Sequence, residues 1–246
     1  MAQRVSISNG RKESVTENEN ILVPTPSQFE KLYLAPEKAV AGDLRLKFGN
    51  PTPVALGGFL LANTPATIML MGWRGAGGGA GDATAGVGGI GEWILGNTFS
   101  SVVFFTFGGY WGAFGATVTP FYNAVAAYQN AAGFYNSFAW FLLWMGVLCL
   151  LYAIAALRTN ICLVAILLCF TITFPCLTAS YFAAADGHMA LAVSTRVAGA
   201  AFAFVASIVA WYLWFSMILE SVDFPLTLPV GDLSKFVKGK SEKSMV

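Results

Sequence analysis

Polarity along this chain comes in long blocks. Residues 48–73, 93–157, 159–185 and 197–219 contain no Asp, Glu, Lys or Arg. Each block holds at least one stretch of the ~20 apolar residues needed to cross a bilayer. A core helix of a soluble protein keeps a wet face and shows charges at helical period, and these segments show none. Five strong spans are therefore predicted, at about 51–73, 97–119, 137–157, 160–183 and 196–219. Residues 1–48 are polar and are expected to form a largely disordered tail. Residues 49–222 are expected to be the transmembrane bundle, and 223–246 a second tail. No apolar run follows Met1, so the first span is expected to serve as the insertion signal.

The distribution of positive charge changes the count. Of the 14 Lys and Arg residues, seven lie in 1–47, and Lys235, Lys238, Lys240 and Lys243 lie at the other end. Positive charge collects on the cytoplasmic side, which predicts that both termini are cytoplasmic and that the number of crossings is even. The sixth crossing then falls to a weak segment at 78–95; the alternative is a Gly-rich loop outside the bilayer. Nine of the seventeen residues 75–91 are Gly, with Asp82 among them, a composition with poor helix propensity. The expected fold class is thus an all-α membrane protein. It is a six-helix transmembrane bundle whose second helix is degraded to a Gly-rich segment, leaving five strong spans. Charged residues are 11% of the chain, against about a quarter in soluble domains, which agrees.

Candidate chemistry is sparse. The four cysteines, Cys149, Cys162, Cys169 and Cys176, lie in apolar runs, the last three spaced by seven on one helix face. They are read as small packing residues, because no His or carboxylate is near in sequence to complete a metal site. No metal, cofactor or nucleic-acid partner is expected. An enzyme would need a nucleophile–base pair or a metal cluster, and none is visible, so the chain is not expected to be one. His188, the only His, falls in the loop Asp186-Gly187-His188.

The helix starts carry more information. Asn50-Pro51-Thr52-Pro53 marks the beginning of the first span, since Asn caps helices and Pro suits the first helical position. Asn97-Thr98 and Thr159-Asn160 open two further spans. With six crossings all three starts face the cytoplasmic side, where their positive dipole ends, with Arg158, make a candidate anion-binding vestibule. Glu92 lies at the same mouth. Counting inward, Phe59 is nine residues past Asn50, Phe107 ten past Asn97 and Phe170 ten past Asn160. Each is then roughly 14–15 Å deep, near the middle of a hydrocarbon core ~30 Å thick. Three rings at one depth could form an apolar constriction, although twenty Phe residues make some coincidence of spacing unremarkable by itself.

Several of these elements resemble a known family. Asn50-Pro51-Thr52-Pro53 with Gly57 resembles the NPAPLGL-type signature of the acetate uptake transporter family, the group of bacterial succinate–acetate permeases and their fungal relatives. Gly96-Asn97-Thr98-Phe99 is similar to its GNTF element, with Glu92 at the matching acidic position. Phe107-Gly108-Gly109-Tyr110-Trp111 is similar to its Tyr-Gly-x-Phe-Trp element. Leu157-Arg158-Thr159-Asn160 and Leu228-Pro229-Val230-Gly231 fit the fungal branch, and the likeness extends over about 48–232. The resemblance implies a six-helix protomer, a homo-hexamer and one pathway per protomer for acetate and, in some members, succinate. It also implies a hydrophobic ring at Phe59, Phe107 and Phe170, and places Asn50 near the substrate path. This chain departs by having Phe107 where the family has Tyr, Phe170 where it often has Leu, and about a dozen residues fewer in the second helix.

The function expected is therefore a plasma-membrane channel or transporter for small monocarboxylates. Acetate would be met by Asn50, Thr52, Glu92, Asn97, Thr98, Arg158 and Asn160 at the inner mouth and would pass Phe59, Phe107 and Phe170. The alternatives are a non-transporting sensor or inactive oligomer partner, suggested by the short second helix, and ammonium export, suggested by the resemblance to fungal relatives.

Overall fold

Among the described residues there are six α-helices, five of them built on the charge-free blocks and one carrying Glu92. They are α1 (Thr52–Met71), α2 (Ala85–Ile94), α3 (Thr98–Val118), α4 (Ala131–Ala155), α5 (Ile161–Ala185) and α6 (Met189–Ser221). The structure, a computed structural model, describes residues 49–76, 85–234 and 236–237. The N-terminal tail, residues 77–84 of the Gly-rich run with Asp82, and the C-terminal lysines lie outside the described residues.

Four helices are long and apolar enough to cross a membrane: α1, α4 with its terminal 3-10 turn to Arg158, α5 and α6. The fifth expected strong span, α3, has 21 residues and no charge, but Ser100, Ser101 and its glycines and threonines dilute its apolar character. The surface of the bundle is apolar. Leu61, Trp144, Leu151, Ile154, Ile161 and Ile208 are all more than half exposed. In water such a surface would drive association. In a bilayer it is the solvated face, since lipid tails are as apolar as these side chains.

Two helices extend well beyond the segments that hydropathy picks out. α4 starts at Ala131, six residues before the expected span, because Asn130 caps it: its Oδ1 accepts the Gly133 N–H at 2.7 Å. The aromatic, uncharged stretch 120–136 thus ends in the first six residues of α4. α6 starts at Met189 directly after Gly187, whose φ of 78° turns the chain out of α5. Its 33 residues rise about 50 Å, longer than the hydrocarbon core.

The helices form a closed ring in the order α1 to α6. α5 packs on α4 and α6, α6 on α1, and α2 on both α1 and α3. The ring closes between α3 and α4 where Tyr110 stacks on Phe141 at 5.6 Å and the Thr106 and Tyr152 hydroxyls share a hydrogen bond of 2.8 Å. Buried polar pairs fix the register of these contacts. Asn63 in α1 donates to Ser207 Oγ at 2.7 Å and to the Ala203 carbonyl at 3.2 Å in α6. Two Trp side chains of α6 also tie it to α1: Trp214 donates to the Pro53 carbonyl at 3.0 Å, and Trp211 to Thr64 Oγ1 at 3.1 Å. The cysteine face packs as expected, with Cys176 Cβ only 3.0 Å from where a side chain on Gly199 would begin.

The second helix differs most from an ordinary span. Its ten described residues rise about 15 Å, half the thickness of the core. Glycine lets it sit very close to α1. A Cβ on Gly88 would lie 2.2 Å from Ala55 Cβ and 2.6 Å from Ala55 Cα. We expect Gly88→Ala to push α2 off α1, with an overpacking cost of about 1–3 kcal/mol or more. Gly109→Ala, where nothing lies within 4 Å, should be neutral or slightly stabilising. Thermal melts of the two variants in one detergent check this, and equal midpoints would show that α2 docking does not depend on the bare backbone.

The C-terminal segment is not simply a tail. Residues 228–233 lie across the start of α5. The Ile161 N–H donates to the Gly231 carbonyl at 2.9 Å and the Leu233 N–H to the Thr159 carbonyl at 3.0 Å. Tyr212 Oη donates to the Pro229 carbonyl at 2.8 Å, and Val230 is 3% exposed.

Candidate functional site

α1, α3 and α5 run side by side from starts that carry Asn50, Asn97 and Asn160, and the 1.5 Å rise per residue brings equal counts to equal depth. The structure brings Phe59, Phe107 and Phe170 together at the centre of the ring of helices. Their ring centroids form a near-equilateral triangle: 5.5 Å from Phe59 to Phe107, 5.7 Å from Phe59 to Phe170 and 5.4 Å from Phe107 to Phe170. All three contacts are edge-to-face, the arrangement that the ring quadrupole favours. All three side chains are buried. Leu60, Leu142 and Leu167 belong to the same apolar core.

Below the triangle, at the starts of the helices, lies a polar cluster. Glu92 of α2 is completely buried, with Thr52 at 1% exposure and Asn97 at 5%. The Thr52 hydroxyl donates to one Glu92 oxygen, and Asn97 Nδ2 donates to the other at 2.7 Å. The Asn97 backbone N–H reaches the Glu92 carbonyl at 2.9 Å. Ser101 Oγ donates to the Gly89 carbonyl at 3.0 Å. Asn50, one residue before the N-cap Pro51, accepts the Thr52 N–H on its Oδ1 at 3.0 Å. Asn97 occupies the capping position of α3, yet its side chain makes no capping bond. It turns to the carboxylate instead. Thr98, next in sequence, is exposed.

Asn160 and Arg158 belong to a different set of contacts. Asn160 is fully buried, and its Oδ1 accepts the Leu163 N–H at 2.8 Å, a true N-cap. Arg158 Nε donates to the Val237 carbonyl at 3.0 Å. The docked C-terminal segment thus covers this helix start. Of the inner-mouth residues read from the sequence, Asn50, Thr52, Glu92 and Asn97 form one connected group, while Arg158 and Asn160 are tied to the C-terminal segment. The helix ends of α1 and α5 spend some of their N–H groups on their own Asn side chains, which lessens the positive end that the sequence suggested.

Beyond the triangle, at the end where α1, α3 and α5 finish, are two cavities. The smaller, about 30 Å3, touches Phe107 and Phe170 and is lined also by Asn63, Thr67 and Thr173. The larger, about 360 Å3, shares Tyr110 and Trp111 with the first and extends to Tyr135, Tyr181, Ser180 and Arg196. Sequence reasoning missed this vestibule. Its lining comes from five helices, and the only local signal was the density of aromatic residues around 110–111 and 134–135. Phe174 touches both Phe170, at 5.8 Å, and Tyr110, at 5.2 Å, so an aromatic column joins the triangle to the vestibule.

A dry triangle between a polar mouth and an open vestibule can pass a small neutral or weakly hydrated solute and resist ions. A bare charge placed among three Phe rings would lose its hydration without a partner.

The profile of the GPR1/FUN34/yaaH family matches residues 34–235. The chain is 42% identical over 230 residues to the protein alcS of Aspergillus fumigatus, covering 85% of this chain and 84% of that one. It is 36% identical over 197 residues to the acetate transporter protein patA of Aspergillus clavatus, covering 76% and 79%. The patA protein of Penicillium expansum is 33% identical over 198 residues. Among solved structures, the bacterial acetate channel SatP is similar with a TM-score of 0.59 at 20% identity, covering 75% of this chain and 99% of that one. At that identity the likeness is one of fold.

Proposed function

Since the chain belongs to the GPR1/FUN34/yaaH family, we propose that this integral membrane protein carries small monocarboxylates, chiefly acetate, and with them succinate, through the aromatic triangle. The observation that carries the reading is the meeting of Phe59, Phe107 and Phe170, one from each of α1, α3 and α5, at centroid distances of 5.4–5.7 Å. Similarity to two proteins named as acetate transporters and, in fold, to one named as an acetate channel supports it.

The mechanism follows from the dryness of the triangle. A carboxylate pays heavily to enter an apolar throat, whereas the protonated acid pays only for one hydroxyl and one carbonyl. The acid therefore crosses as the neutral species and is driven by its own gradient and that of the proton. No step needs a covalent intermediate, and the chain is read as a carrier or channel and not as an enzyme. Thr52, Glu92 and Asn97 hold the starts of α1 and α3 and the end of α2 in place below the triangle. Asn50, Thr98, Arg158 and Asn160 complete the polar surroundings of the inner mouth. The bundle at 49–222 sits in the plasma membrane as a homo-oligomer, a hexamer by family resemblance, with both termini cytoplasmic.

The test is uptake of labelled acetate by proteoliposomes holding the full chain, set against empty liposomes. A carboxylic acid with pKa ~4.3 is about 0.2% neutral at pH 7 and about 17% at pH 5. Protein-dependent uptake should rise with the neutral fraction as the outside pH falls over that interval. Uptake no faster than that of empty liposomes at either pH, from correctly inserted protein, would assign the chain instead to a sensing or partner role.

A further inference from the structure

The chain beyond α6 folds back onto the end of the bundle where α5 starts. Asp223, with a φ of 52°, turns it out of α6, and the Phe224 N–H returns to the Leu219 carbonyl at 2.9 Å. Residues 228–233 then cross the start of α5. Arg158 Nε, donating to the Val237 carbonyl at 3.0 Å, holds the chain as far as its last described residue. Val230 is buried by this docking, but other apolar side chains of the segment are not. Phe236 is 80% exposed, and Phe224, Leu226 and Val237 are 50%, 50% and 41% exposed. They sit where the spans end, at the level of the lipid headgroups. Charge is distributed unevenly over the same segment. Residues 222–234 hold Asp223 and Asp232 and no Lys or Arg, whereas 235–246 hold Lys235, Lys238, Lys240 and Lys243 against Glu242 alone. The cations thus begin at the point where Phe236 and Val237 stand exposed. Lysines interleaved with exposed apolar side chains, set directly beside a membrane span, are the composition that binds anionic lipid.

Resting on the reading that both termini are cytoplasmic, we propose that the C-terminal segment from Lys235 onward is a binding surface for the anionic phospholipids of the inner leaflet. Lys235, Lys238, Lys240 and Lys243 meet the headgroups, and Phe236 enters the boundary between headgroups and acyl chains. The clasp of 228–233 on α5, closed by Arg158, sets where this surface begins. The bilayer is favoured over any soluble anion because the segment is tethered beside it. Its effective concentration at the membrane surface is high from the start. Glu242 is the one charge within the basic run that works against the contact.

The experiment uses the full chain in nanodiscs, with an environment-sensitive dye joined to its C-terminus. One set of discs is phosphatidylcholine, and the other carries about one fifth phosphatidylserine. Dye emission should rise and shift to the blue in the anionic discs alone. The bound-to-free ratio of the segment should fall at least about tenfold between about 0.1 M and 1 M salt, where the screening length drops from about 10 Å to about 3 Å. Replacing Lys235, Lys238, Lys240 and Lys243 by Gln should lower the ratio at least about a hundredfold, since each contact is worth roughly fivefold. Phe236→Ser should lower it severalfold and leave the salt dependence in place. Thermal melting confirms that each variant is folded. If the four-Lys variant does not fold, Phe236→Ser and the salt titration still decide. Equal emission in neutral and anionic discs would overturn the lipid surface. A signal that follows the number of protein copies per disc, and not lipid charge, would assign the surface to a second copy instead. Protease treatment of sealed cells tests the orientation separately. A C-terminus cut only after permeabilisation supports the inner-leaflet assignment. One cut from outside overturns both that assignment and the cytoplasmic reading, whatever the discs show.

Discussion

Phe107→Ala should let propionate and butyrate through at least about tenfold faster than the parent does, while acetate gains less. A tenfold change corresponds to about 1.4 kcal/mol off the barrier, and the substitution removes one of three mutually touching rings. Phe59 and Phe170 keep their own contact at 5.7 Å, so only one corner opens and the change reads as a wider gate, not as collapse. The small cavity already borders Phe107 and Phe170, so the vacated volume joins space that exists. Truncating a buried Phe costs about 3–5 kcal/mol of stability, and the comparison has to be made per folded protein. Proteoliposome uptake of acids of increasing length measures the ratio. If propionate and butyrate keep the parent's rates relative to acetate, the triangle is a packing cluster and not the selectivity element.

The second large effect is on assembly. Glu92→Ala should lower stability by about 2–6 kcal/mol, because it strands two buried donors at ~1–3 kcal/mol each. Those donors are the Thr52 hydroxyl and the Asn97 amide, from α1 and from the start of α3. Glu92→Gln should be milder. The Thr52 hydroxyl can rotate and accept from the new amide, while Asn97 keeps an oxygen to donate to. The order of melting midpoints in detergent, parent above Gln above Ala, checks the idea, together with the yield of inserted protein. An Ala variant that melts with the parent would mean that the cluster holds nothing together, and the short α2 would need another explanation for staying docked.

Much of this architecture was readable from residue type alone, for physical reasons that also mark where reading stops. Charge-free blocks locate helices because a bilayer forbids bare charge. They do not locate helix ends, which depend on caps: Asn130 starts α4 and the turn at Gly187 precedes α6, both in water-facing sequence that hydropathy ignores. The meeting of Phe59, Phe107 and Phe170 could be anticipated because a straight helix is a ruler and three similar starts set its zero. The partnership of Thr52 with Glu92, forty residues apart, could not, since it depends on how closely α2 approaches α1, and that depends on Gly88. Asn97 shows the same limit. Its position identifies it as a cap, but a buried carboxylate nearby outbids the backbone for its side chain. The vestibule is assembled from α1, α3, α4, α5 and α6 at once, and no local pattern encodes such a space.

The segment 228–233 gives Cys162 a use. Its thiol is 9% exposed and lies 3.7 Å from the Val230 carbonyl, sheltered by a strand of chain held by a few backbone hydrogen bonds. Once the other three cysteines are replaced, the rate at which a membrane-impermeant maleimide modifies this sulfur becomes a clock for the lifting of the C-terminus. The protein thus carries an intrinsic probe of whether the C-terminal segment and the start of α5 move as one body while solute flows.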